Sequence, residues 1–104
     1  MGRLTAEADE QVAELAEHFL RKDRTEAVHR LTEAVGAALT RVDDANTRWR
    51  TAPTPYAALA DEGFRWFRQH RYWIAYSMEA DGQGAIHHVI YDTANIPARL
   101  RGRS

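Results

Sequence analysis

The stretch Gly63–Tyr91, GFRWFRQHRYWIAYSMEADGQGAIHHVIY, holds seven of the chain's ten aromatic residues in twenty-nine positions. From Tyr72 to Met78 it alternates, with Tyr72, Ile74, Tyr76 and Met78 on one face and Trp73, Ala75 and Ser77 on the other. A period of two is a strand, because successive side chains point to opposite faces. Asp81-Gly82-Gln83-Gly84 supplies a turn, since its glycines can take the positive φ that tight connections need. Ala85 to Tyr91 is a further β-branched and aromatic run. Gly63 to Arg68 reads as a strand joined to the next by a tight turn at Gln69-His70. The stretch predicts an antiparallel meander of three strands, and the rest of the chain has to cover one side of it.

The cover comes from upstream. Met1-Gly2-Arg3-Leu4 is long enough only for a stub of strand. Thr5 is an N-cap candidate, with Glu7 and Asp9 in the first turn, where the helix dipole favours acids. Ala8, Val12, Leu15, Ala16 and Phe19 recur at helical spacing, so Ala6 to Arg21 is an amphipathic helix. Asp23 and Glu26 have the spacing of a capping box for a second helix, with Thr25 a competing cap. Val28, Leu31, Val35, Ala38, Leu39 and Val42 mark its apolar stripe. A connector this short makes the pair an antiparallel hairpin over residues 5–42. Residues 43–62 lose periodicity and read as a loop, 63–91 as the meander and 92–104 as a tail with Arg99, Arg101 and Arg103. The fold class is α+β in one domain: a strand stub and a helical hairpin on an antiparallel sheet of three to four strands.

Composition narrows the function classes. The 104 residues can bury a core without staples. There is no Cys, which removes disulfides, thiolate metal sites and a thiol nucleophile. No apolar run approaches the roughly 20 residues of a membrane span. The opening MGRLTAEADE is too polar for a signal peptide, so the expected location is the cytoplasm. A formal net charge of −1 argues against direct nucleic-acid binding, although a local basic patch is compatible with it. His18 and His29 lie on different helices, and no spacing suggests a metal. No cofactor is expected.

The order of elements and two motifs carry a resemblance. Gly63-Phe64-Arg65-Trp66-Phe67-Arg68-Gln69-His70-Arg71-Tyr72-Trp73-Ile74-Ala75-Tyr76 and the closing Val89-Ile90-Tyr91 through Asn95-Ile96-Pro97-Ala98 resemble the RelE/ParE superfamily of type II toxins. Within it the chain is most similar to the ParE, or plasmid-stabilisation, branch. Three departures stand out. The first strand is a stub, Tyr91-Asp92-Thr93-Ala94 stands where many relatives have His and arginines, and His70 replaces a turn glycine. The last is mild, because His is among the non-Gly residues enriched at positive φ.

The resemblance implies a toxin that binds DNA gyrase and is neutralised by a cognate antitoxin laid over sheet and helices. It also implies an alternative, a RelE-like ribosome-dependent endoribonuclease, and a third, a family member that keeps only the fold. The nuclease alternative nominates Arg65, Arg68, Arg71, Tyr91 and His87 or His88, since cleavage needs phosphate-stabilising cations and a proton-transfer group. Strict alternation puts His87 and His88 on opposite faces, unable to act jointly. The plainer reading is that these arginines solvate the sheet or pair with helical acids, and that no residue is catalytic. Trp66 and Trp73, if exposed on the face away from the helices, would form an aromatic patch rimmed by arginine, the composition of a partner-binding surface, and Arg99 and Arg101 of the exposed tail are separate partner-binding candidates. The competing reading is that the loop or the tail covers them.

Overall fold

The computed structural model describes residues 2–44, 46–52, 60–61 and 63–91. The element order is β1 (Arg3–Leu4), α1 (Ala6–Arg21), α2 (Thr25–Arg41), β2 (Arg65–Gln69), β3 (Tyr72–Met78) and β4 (Gly84–Tyr91). The architecture is α+β, with both helices on one face of a four-stranded sheet ordered β1-β4-β3-β2. The meander β2-β3-β4 is antiparallel. The stub β1 pairs parallel to β4, Arg3 with Ala85 and Leu4 with Ile86, so the sheet is mixed rather than wholly antiparallel.

The helix stripes and the inner face of the meander meet in one core. Leu15, Phe19, Leu31, Val35, Ile74 and Tyr76 all belong to it, together with Phe67, Tyr72, Ile86 and Val89. Met78, at the end of the alternating run, lies outside it and is exposed. Burial of these side chains, at about 25 cal/mol per Å² of apolar surface, holds the hairpin on the sheet. Among the described residues, no helix is long and apolar enough to cross a membrane.

Local chemistry sets the boundaries. Thr5 caps α1, its hydroxyl accepting the Ala8 N–H at 3.2 Å. The reversal into α2 differs from the capping box expected of Asp23 and Glu26. Asp23 sits at φ 56, while the N-cap of α2 is Arg24, which makes no side-chain cap bond. Arg24 N–H donates to Phe19 C=O at 2.8 Å and Asp23 N–H to Leu20 C=O at 3.0 Å. That bond pair is a Schellman motif with Asp in the left-handed position usually given to Gly. Asp23 therefore ends the first helix instead of opening the second.

The β2–β3 turn is displaced by one residue, to His70-Arg71, because Gln69 pairs with Tyr72. His70 takes φ 56 there. At the other hairpin, Gly84 lies under the end of α2. A Cβ on it would stand 2.5 Å from the Val42 Cβ, and its N–H donates to Asp43 Oδ1 at 2.9 Å. That bond holds the Asp43 carboxyl below its usual pKa.

Candidate functional site

The face of the sheet away from the helices is covered, not open. Trp66 is wholly buried and Trp73 is buried, and they pack with Ala75, Ile90, Phe64 and Ala52 in a second apolar cluster. The cover comes partly from the segment before β2. Arg50 and Trp66 exchange two backbone hydrogen bonds, each 2.8 Å, as an antiparallel bridge on the free edge of β2. The Arg50 guanidinium lies 5.9 Å from the centre of the Trp73 ring. The two tryptophans are therefore core residues: of the two alternatives the covered one holds, and they form no exposed aromatic patch. Arg99 and Arg101 lie outside the described residues.

A correction concerns the histidines. The β3–β4 register runs Ala75↔His88 and then Tyr76↔Ile86, which leaves His87 as the extra residue of a β-bulge. A bulge breaks the alternation. Both rings now meet Phe64: His87 is stacked on it at 4.5 Å and His88 meets it edge-on at 5.4 Å. His87 Nε2 is 2.8 Å from Ser77 Oγ, and burial holds its pKa below the ordinary imidazole value. His88 is buried, with Nδ1 3.1 Å from Gln11 Nε2 and 4.0 Å from Glu7 Oε1. Ile86 and Val89 both face the helices three positions apart, which a regular strand cannot do.

The bulge lies at an incompletely paired edge. Thr5 N–H donates to Ile86 C=O at 3.0 Å, after which the chain turns into α1 and leaves the edge of β4 opposite β3, beyond Ile86, without a strand beside it among the described residues. Gln11, buried on α1, reaches into the gap. Its Oε1 accepts the Val89 N–H at 2.8 Å. The β2 edge is blunted differently, by the Arg50 bridge and by Arg41 Nη1, which donates to Arg68 C=O and Gln69 Oε1, both at 3.0 Å.

The ribonuclease candidates do not converge on one point: Arg71 and Tyr91 line one pocket with Arg24 and Arg30, whereas Arg65, Arg68 and His87 are not among its described lining residues. The Arg65 guanidinium lies 4.8 Å from the Trp49 ring centre. Arg68 is exposed, its Nε donating to His70 C=O at 3.0 Å, and Arg71 is exposed in the turn. Tyr91 packs on the helix side against Phe19 and Tyr72, at 5.8 and 5.5 Å between ring centres. His87 is four residues away, about 13 Å along the strand. Nothing in this arrangement presents Tyr91, His87 and an arginine to one phosphate. The described residues contain no group of three or more His, Cys, Asp or Glu able to hold a metal.

Comparison with protein families, with curated proteins and with solved structures finds no match.

Proposed function

We propose that the chain is the toxin component of a bacterial type II toxin–antitoxin pair, of ParE-like type, acting by binding DNA gyrase rather than by cutting RNA. The observation that carries this reading is the separation of His87 from the Tyr91 and Arg71 pair, on a frame of strand stub, helical hairpin and three-stranded meander. A ribonuclease needs its cations and proton-transfer group around one phosphate. Here Tyr91 is partly buried against Phe19 and Tyr72, and His87 is tied to Ser77 on another part of the sheet. An inhibitor that occupies a protein surface has no such requirement.

The antitoxin belongs at the β4 edge. Beyond Ile86 that edge has one described side-chain cap, Gln11, and no described strand beside it. An extended segment can add there by main-chain hydrogen bonds, the mode by which peptides complete open sheets. Toxicity and mechanism are tested together by inducing the chain in a bacterial host. Growth arrest, loss of supercoiling activity of gyrase with purified protein, and intact mRNA ends are the expected results. Codon-phased mRNA cleavage would instead establish the RelE-like alternative, and harmless expression the reading in which only the fold is kept.

A further inference from the structure

All three tryptophans of the chain line one groove of about 420 Å³ on the far side of β2 from the meander's β4 edge. Four arginines, Arg41, Arg48, Arg50 and Arg68, line the same groove, and no carboxylate appears among its described lining residues. The chain as a whole carries a formal charge of −1, so this concentration of four cations is a local feature, not a reflection of composition. Two of these arginines are anchored. Arg41 lies 4.1 Å from the Phe67 ring centre, and its bonds to Arg68 C=O and Gln69 Oε1 use only Nη1. For Arg50 the bridge to Trp66 fixes the backbone, and the guanidinium lies 5.9 Å from the Trp73 ring centre. Trp49 at the rim is 46% exposed, and the Trp66 indole N–H is buried without a hydrogen-bond partner.

We propose that this groove binds a free nucleotide, a nucleoside mono- or diphosphate, with the phosphate on the arginines and the base against the tryptophan at the rim. Planar guanidinium groups match phosphate oxygens two at a time and keep their charge at every working pH. Ring faces beside them recognise a base by stacking. The volume is in the range of small-ligand sites and exceeds what an inorganic anion would fill. An acidic peptide would use the arginines but has no need of the ring surface. The site is separate from the β4 edge, so it stands or falls independently of the toxin reading.

All three tryptophans border the groove and Trp49 is exposed at its rim, so indole fluorescence of the intact chain responds to its occupation. The test titrates the purified protein with ADP and AMP, and in parallel with adenosine, inorganic phosphate, a single-stranded DNA dodecamer and a poly-glutamate peptide. Saturable change with ADP or AMP is expected, with adenosine and phosphate each binding about tenfold weaker or less, since each lacks half of the recognised chemistry. Arg48→Ala, at an exposed position, and Arg50→Ala, which keeps the backbone bridge, should each weaken ADP binding by about tenfold while leaving the melting curve intact. No saturable response to either nucleotide overturns the proposal, as does ADP binding unchanged in both variants. The dodecamer or the peptide binding more tightly than ADP would overturn it too, and would assign the groove to nucleic acid or to a protein segment.

Discussion

The side chain of Gln11, the sixth residue of α1, accepts the backbone N–H of Val89 in β4 at 2.8 Å. A helix side chain here takes a ladder position that no described strand fills. Its amide nitrogen meets His88 Nδ1 at 3.1 Å, so the network makes Nδ1 the acceptor and puts the proton of the neutral ring on Nε2. Gln11→Ala leaves a buried N–H and a buried ring nitrogen without these partners. The expected cost is about 1–3 kcal/mol, the penalty of an orphaned buried polar group. Denaturant unfolding measures it, and a change under about 0.5 kcal/mol would mean water replaces the amide at no loss.

The helix-to-helix reversal gives a prediction of opposite sign. Asp23 holds φ 56 at the left-handed position of a Schellman motif. Glycine adopts that conformation without the steric cost of a Cβ, which is about 1–2 kcal/mol for an L-residue. Asp23→Gly should therefore raise stability by up to about 1 kcal/mol once the extra freedom of the unfolded chain is subtracted. Asp23→Val should lower it, since a β-branched residue tolerates positive φ worst. A thermal melt in which both variants move the same way would contradict the backbone account.

Packing on the inner face sets the largest effects. Phe19 and Tyr76 are each 2% exposed in the shared core of helices and sheet. Truncating either to Ala should cost about 3–5 kcal/mol. Phe19 is the sharper test, because it also carries the edge contact to Tyr91 at 5.8 Å. A loss under about 1 kcal/mol at either position would mean that the hairpin is not seated on the sheet.

Two groups give stability a pH dependence on opposite flanks. The Tyr72 pKa is pushed up to about 12 by burial, with the nearby Tyr91 adding to the effect. Its folded pKa exceeds the unfolded value, so its contribution is complete below about pH 10 and is lost as pH rises toward 12. His87 is the reverse case: burial lowers its pKa, so the unfolded state takes up the proton first. Its contribution is present above the unfolded value of about 6.5 and is lost as pH falls below it. Unfolding measured across both ranges should show the alkaline slope vanish in Tyr72→Phe and the acid slope shrink in His87→Gln.

What the sequence disclosed follows from where a period survives. The strand Tyr72–Met78 and the helix Ala6–Arg21 were legible because one uninterrupted repeat runs through each of them. The His87 bulge was not, because one inserted residue resets the phase and turns a doublet expected on two faces into a pair around Phe64. Asp23 misled for a different reason: Asp serves both as an N-cap and as a left-handed C-terminal residue, and spacing alone does not separate the two. The fate of Trp66 and Trp73 was open as well. Whether a sheet face is covered depends on a segment with no periodicity of its own, here held by the Arg50 bridge.

Mutation separates the two proposed modes of action. Tyr91→Phe keeps the ring that packs against Phe19 and Tyr72 and removes only the hydroxyl. His87→Ala removes the imidazole that meets Ser77 and Phe64. If the chain inhibits gyrase by occupying a surface, no single proton-transfer group is indispensable, and both variants should arrest growth nearly as well as the parent. Arg99→Ala combined with Arg101→Ala should weaken arrest by lowering affinity for the target, with gyrase supercoiling as the direct readout. A ribonuclease behaves otherwise, since losing its base or its phosphate-stabilising cation costs about two to four orders of magnitude in rate. Arrest abolished by Tyr91→Phe, together with phased mRNA cleavage in the parent, would place the chain on the ribosome and not on gyrase.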